Sequence, residues 1–152
     1  MYLSKKRRGT KEVEEIAYWR KANHIHQWFV ENIQGGEDDC REYRVSRGQL
    51  QTLLETVNTV LQASVLIPGK VTNGYSISMA GSSYVETPIL EDGKRIADPS
   101  VAQALLPTQE GFFFGGTDYD EYYYADLEHT RDALTAALAQ QDDSDFCYQS
   151  SW

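Results

Sequence analysis

At 152 residues the chain can bury one sizeable core, and two cysteines, Cys40 and Cys147, are too few for a disulfide framework or a zinc knuckle. No apolar run approaches the roughly 20 residues of a membrane helix, and MYLSKKRRGTKEVEE has no apolar stretch behind its basic residues, so no membrane span and no secretory signal are expected. The net charge of −9 divides into +4 over residues 1–21 (seven Lys/Arg, three Glu) and −13 over the other 131 (seven Lys/Arg, twenty Asp/Glu), a body that repels nucleic acid.

In chain order, residues 1–10 read as a flexible basic terminus in which Lys5, Lys6, Arg7 and Arg8 are solvated. A first helix is expected from Lys11 to Ile33, because Ile16, Trp19, Ala22, Asn23, His26, Val30 and Ile33 recur at spacings of three and four. Tyr18, Ile25 and Phe29 widen its apolar surface, and Gly35-Gly36 ends it. EDDCREYRV follows as an acidic connection into a short extended piece. Ser46, with Gln49 three residues on, forms a capping box for a second helix. Its face of Leu50, Leu53, Leu54, Val57, Val60 and Leu61 runs to Ala63.

From 64 to 97 the helical period vanishes and β-branched residues and tyrosines take over, with turn signals at Asn73-Gly74 and Asp92-Gly93. This reads as an inserted hairpin or small sheet, a mobile loop being the alternative. Asp98-Pro99 opens a short helix that stops before Pro107. GFFFGG is extended, and a third helix starts near Asp118, paired with Glu121 in a capping-box pattern, and runs to Gln140. Residues 141–152 form an acidic tail. The expected fold class is mainly α (α+β): a three-helix bundle with a short extra helix and a small inserted β-hairpin or sheet, in one domain over 11–140.

Two constellations carry the candidate chemistry. The first is GFFFGGTDYDEYYYADLEH, starting at Gly111, with three phenylalanines and four tyrosines within fourteen residues. In an extended segment Phe112, Phe113 and Phe114 cannot all point inward, so at least one faces another element, a partner or a ligand. The following helix start offers amide donors to an anion, although Asp118, Asp120 and Glu121 occupy the same end. Tyr119 and Tyr123 share one helical side and supply the flat faces and polar tips of a recognition surface. The second constellation is YWRKANHIHQWF, which sets Trp19, Asn23 and His26 on one ridge, with Arg20 and His24 beside it. Such a ridge can stack and hydrogen-bond a planar ligand while Arg20 meets its negative charge. The competing reading makes Asn23 and His26 satisfied buried groups that fix helix packing.

No GxSxG, HExxH, phosphate loop or cysteine–histidine pattern is present. His24 and His26 lie two apart and cannot jointly chelate a metal on a helix. Asp118, Asp120, Asp126 and Glu128, with His129 as base, are the residues a metal-dependent hydrolase would use. No cofactor and no metal ligand are assigned.

The segments AYWRKANHIHQWFVENIQGGEDDCREYRVS (Ala17 to Ser46) and LLPTQEGFFFGGTDYDEYYYADLEHT (Leu105 to Thr130) resemble a family of small proteins encoded by bacteriophages and prophages. Together they cover a little over a third of the chain, and the stretch 64–97 is longer than the family's connection. The resemblance implies a setting in the host bacterial cytoplasm and an accessory role against host defence.

The leading expectation is therefore a non-enzymatic binding protein that sequesters a small anionic planar ligand, such as a nucleotide-derived host signal. Its site would lie between the first helix and the entry to the third, built from Trp19, Arg20, Asn23, His26, Arg44, Phe113, Tyr119 and Tyr123. One alternative is an acidic inhibitor that mimics nucleic-acid charge on a host defence nuclease; the other is the hydrolase. Exposed aromatic residues also make a homodimer an expectation.

Overall fold

The computed structural model describes residues 1–111 and 115–151 and has an α+β fold. Its described elements are β1 (Tyr2–Arg7), β2 (Val13–Tyr18), α1 (Asn23–Asn32), β3 (Tyr43–Val45), α2 (Arg47–Ala63), β4 (Leu66–Ala80), β5 (Ser83–Ile96), α3 (Ser100–Leu105), α4 (Glu121–Ala139) and β6 (Ser144–Gln149). The strands form a four-stranded antiparallel sheet of order β2-β1-β6-β3 and a separate two-stranded ribbon, β4-β5. The expected three-helix bundle is thus corrected: a sheet forms one side of the core.

The largest correction is at the N-terminal third. Val13–Tyr18 is a strand, and the helix begins only at Asn23. Basic β1 lies against acidic β2, with Lys5 opposite Glu14 and Ser4 opposite Glu15. The basic side chains of β1 and of the residue after it reach carboxylates outside β2, Lys6 on Glu42 at 2.6 Å and Arg8 on Asp145 at 3.0 Å, partners that a solvated terminus would not have. Far from fraying, β1 lies between β2 and β6, and Lys5 is buried with its ammonium on Asp142. The C-terminal segment is likewise tied down: Phe146, Cys147 and Tyr148 are buried in β6, which pairs with β1 on one side and β3 on the other.

The helices that carry strong local signals are where the periodicity places them. Ser46 Oγ accepts the Gln49 N–H at 3.2 Å and Gln49 Oε1 accepts the Ser46 N–H at 2.8 Å, a complete capping box for α2. All six residues of its apolar face are buried, and α2 packs against α4 over a core that includes Trp19, Ile25, Phe29, Leu127, Leu134 and Phe146. α4 starts later than expected, because Asp120 is its N-cap, accepting the N–H groups of Tyr122 at 2.9 Å and Tyr123 at 3.0 Å.

The insertion is one long hairpin. Neither expected turn forms: Gly74 (φ +88°) sits in a bulge between Thr72 and Tyr75, Gly93 lies within β5, and the chain reverses beyond Ala80 at Gly81 (φ +67°). Glycine suits both positive-φ positions because it has no Cβ. The base of the hairpin is anchored by buried Val71 and Ile96 and by the Ile96 N–H on Tyr119 O at 2.9 Å. No described helix is long and apolar enough to cross a membrane.

Candidate functional site

Residues 107–111 and 115–119, the two described arms of the loop that precedes α4, are fastened to each other and to α1 by side chains. Asn23, the first residue of α1 and buried, donates from Nδ2 to Gly116 O at 3.0 Å and accepts the Gln109 N–H on Oδ1 at 2.9 Å. One amide thus holds the outgoing and returning arms of the loop. Thr108 Oγ1 donates to Thr117 O at 2.9 Å, Tyr119 OH accepts the Thr108 N–H at 3.2 Å, and Tyr123 OH donates to Leu106 O at 3.0 Å.

This fastening leaves a cleft of about 450 Å³ between the segment 20–24, the loop, and the start of α4. Exposed Arg20 and Lys21 border one side; Asp118, Asp120 and Asp126 border the other. The floor is the pair His24 and Tyr123, whose ring centroids lie 4.2 Å apart at 38°. His24 is buried, and its Nε2 has no hydrogen-bond partner among the described residues. Burial lowers its pKa to about 3, so its ring is neutral at any physiological pH.

The three acids differ in environment. Asp118 accepts the Thr72 N–H at 2.9 Å, and Asp120 caps α4. Burial raises the pKa of Asp120 against the lowering effect of its two helix N–H bonds, and Asp118 adds repulsion. Asp126 has no such donor among the described residues. Burial and then the charge of Asp120 raise its pKa to about 6. Because the folded-state value lies above the unfolded one, Asp126 favours folding at low pH and opposes it as pH rises through about 6. Asp126→Asn is therefore expected to stabilise the protein by about 1–2 kcal/mol at pH 7.5 and by nothing measurable at pH 4. Urea unfolding at the two pH values checks this, and an equal effect at both would refute the burial of an unfavourable charge.

The structure brings together Arg20, Asn23 and Tyr123 of the expected site residues. Tyr119 lies just behind them, packed edge-on against Tyr123 with centroids 5.0 Å apart. Trp19 is elsewhere: buried in the core, with Nε1 donating to Thr130 Oγ1 at 2.8 Å and its ring beside Phe29 and His129. His26 is also interior, with Nδ1 2.6 Å from Tyr148 OH and Nε2 3.1 Å from Asp38. Arg44 stands on β3 facing Asp145 at 3.2 Å, within the four-stranded sheet. Phe113 lies outside the described residues. Lys21 and His24 were not among the expected ligand-binding residues; their signal was proximity to Arg20 and Asn23, which one period count cannot rank.

A second hollow of about 520 Å³ lies between the β1–β2 hairpin and residues 140–144, but its charges neutralise one another through Lys5–Asp142 and Arg8–Asp143. Among the described residues no group of three His, Cys, Asp or Glu is arranged to hold a metal ion. No family model, curated protein or solved structure matches the chain.

Proposed function

We propose that the cleft binds a small planar ligand charged at one end, a nucleotide-derived molecule in chemical terms, and that the protein acts by sequestering it. Its setting in this reading is that of a phage accessory protein in the host bacterial cytoplasm, where such molecules signal infection. The observation that carries the reading is the meeting, in one hollow, of two exposed cations, an aromatic floor, and a buried imidazole nitrogen and a carboxyl that have no hydrogen-bond partner among the described residues.

Each element fits one part of such a ligand. Arg20 and Lys21 suit a phosphate, the guanidinium by paired N–H bonds and the ammonium as a point charge. Tyr123 and His24 supply flat surface for a base. Asp126 and Asp120 accept from amino or hydroxyl groups, while their own charge rejects a ligand that is anionic along its whole length. A neutral His24 accepts or donates one further bond, according to its tautomer.

Calorimetric titration with nucleoside mono- and diphosphates, cyclic dinucleotides and ADP-ribose is expected to give saturable binding to at least one. The Arg20→Ala/Lys21→Ala double variant should then bind at least about tenfold more weakly, since a charge-assisted hydrogen bond contributes about 1.5–3 kcal/mol. Absence of heat and of thermal stabilisation across the whole panel would end the sequestration reading.

A further inference from the structure

The β4–β5 hairpin extends well beyond its anchor. Apart from Gly93, residues between Thr72 and Ile96 are exposed along their whole length. From Thr72 to the tip is roughly 25–30 Å at the usual rise of a strand. Residues opposite one another in an antiparallel pair share a face. The pairs Tyr75–Pro88, Ile77–Glu86 and Met79–Tyr84 therefore make one side, and Ser76–Thr87, Ser78–Val85 and Ala80–Ser83 the other. One face is mostly apolar, the other mostly hydroxyl-bearing, and no part of the described chain covers either. Ile77, Met79 and Tyr84 are 67%, 68% and 75% exposed, and among the described residues seven of the twelve exposed large hydrophobic ones lie on this hairpin.

A lone two-stranded ribbon is marginal in water, and an uncovered apolar face on one marks a contact surface. Its charge narrows the occupant. Between Lys70 and Lys94 the hairpin has no Lys or Arg, which disfavours nucleic acid and anionic lipid; between Asn73 and Leu90 its only charge is Glu86. What fits is an apolar strip of equal length, two strands wide and nearly uncharged, and a second copy of the same ribbon has those properties. We infer that the hairpin is a dimerisation arm, packing its Tyr75–Ile77–Met79–Tyr84 face against the same face of a second copy about a two-fold axis.

Two observations bear on whether such a dimer can form. Face-to-face ribbons of this length bury on the order of 1,000 Å² in total, the lower limit for a specific interface, so the association is weak. Each copy carries −9, but arms of this length separate the bodies by much more than the Debye length of about 8 Å at physiological salt, so their repulsion is screened.

Sedimentation equilibrium of the full chain in about 150 mM salt is expected to show monomer–dimer exchange half-complete at roughly 10–100 µM. Ile77→Glu/Met79→Glu should raise the dissociation constant at least about tenfold, whereas Ser76→Glu/Ser78→Glu on the opposite face should leave it within about twofold. All four positions are exposed, and circular dichroism verifies that the body stays folded. A monomer at about 200 µM overturns the proposal, as does equal weakening by both double variants. A chain that stays monomeric and binds phosphatidylcholine vesicles through Ile77 and Met79 assigns the face to lipid instead, and also overturns it.

Discussion

Trp19→Ala is expected to lower stability by about 3–5 kcal/mol, a large part of the 5–15 kcal/mol typical of a domain. The ring is 1% exposed and packs beside Phe29 and His129. Most of the loss comes from the cavity: Thr130 loses the indole N–H at 2.8 Å but still donates its own hydroxyl to Asp126 O at 2.7 Å. Trp19→Phe, which restores most of the volume and none of the N–H, should cost about 1–2 kcal/mol. At this chain length the alanine variant corresponds to a melting temperature lower by roughly 10 °C. Calorimetric scanning reads the result, and a fall below about 2 °C would contradict a core position. Because Trp19 does not line the cleft, ligand affinity measured well below the melting point should stay within about threefold of the parent.

The second large effect is expected at Asn23, and it separates the cleft from the core. Asn23→Ala removes the side chain that holds Gln109 and Gly116 together, at about 2 kcal/mol for two hydrogen bonds whose backbone partners can then reach water. Stability should fall by less than for Trp19→Ala, yet ligand binding should fall by about tenfold or more, because the loop wall of the cleft is no longer held. Hydrogen exchange provides the local readout. The Gln109 amide, bonded to Oδ1 at 2.9 Å, should lose protection while amides in the middle of α2 keep theirs. Asn23→Asp retains the acceptor for Gln109 and lacks the donor to Gly116, so it should protect Gln109 but leave the Gly116 side loose. Unchanged exchange at Gln109 in Asn23→Ala would remove the clamp from the description, and with it the explanation of how the cleft is shaped.

The two variants also explain why the site was only partly legible. A helix running through Lys11–Ile33 would put Trp19, Asn23 and His26 on a single ridge. In the structure the helix starts at Asn23, so Trp19 precedes it, and His26 turns toward Tyr148 and Asp38. The ridge was a property of the assumed helix. Arg20, Asn23 and Tyr123 do meet, because the segment at Arg20 and the start of α4 enclose the same loop.

The amino-acid sequence by itself determined whatever depends on neighbours within a turn or two: α2 with its Ser46–Gln49 box, the apolar stripe of α4, the short helix after Asp98 and the extended character of 64–97. Tertiary structure alone decided the sheet. Leu3 faces Tyr148 across the ladder, a separation of 145 residues that no local period reports. It also decided that Lys5, Lys6 and Arg8 would meet Asp142, Glu42 and Asp143 with Asp145, and that Asp118 would bond Thr72 and leave the capping of α4 to Asp120. The physical reason is common to all of these. A strand gains its hydrogen bonds from another segment, so its identity depends on which partner the folded chain brings alongside, whereas a helix satisfies its own backbone within four residues.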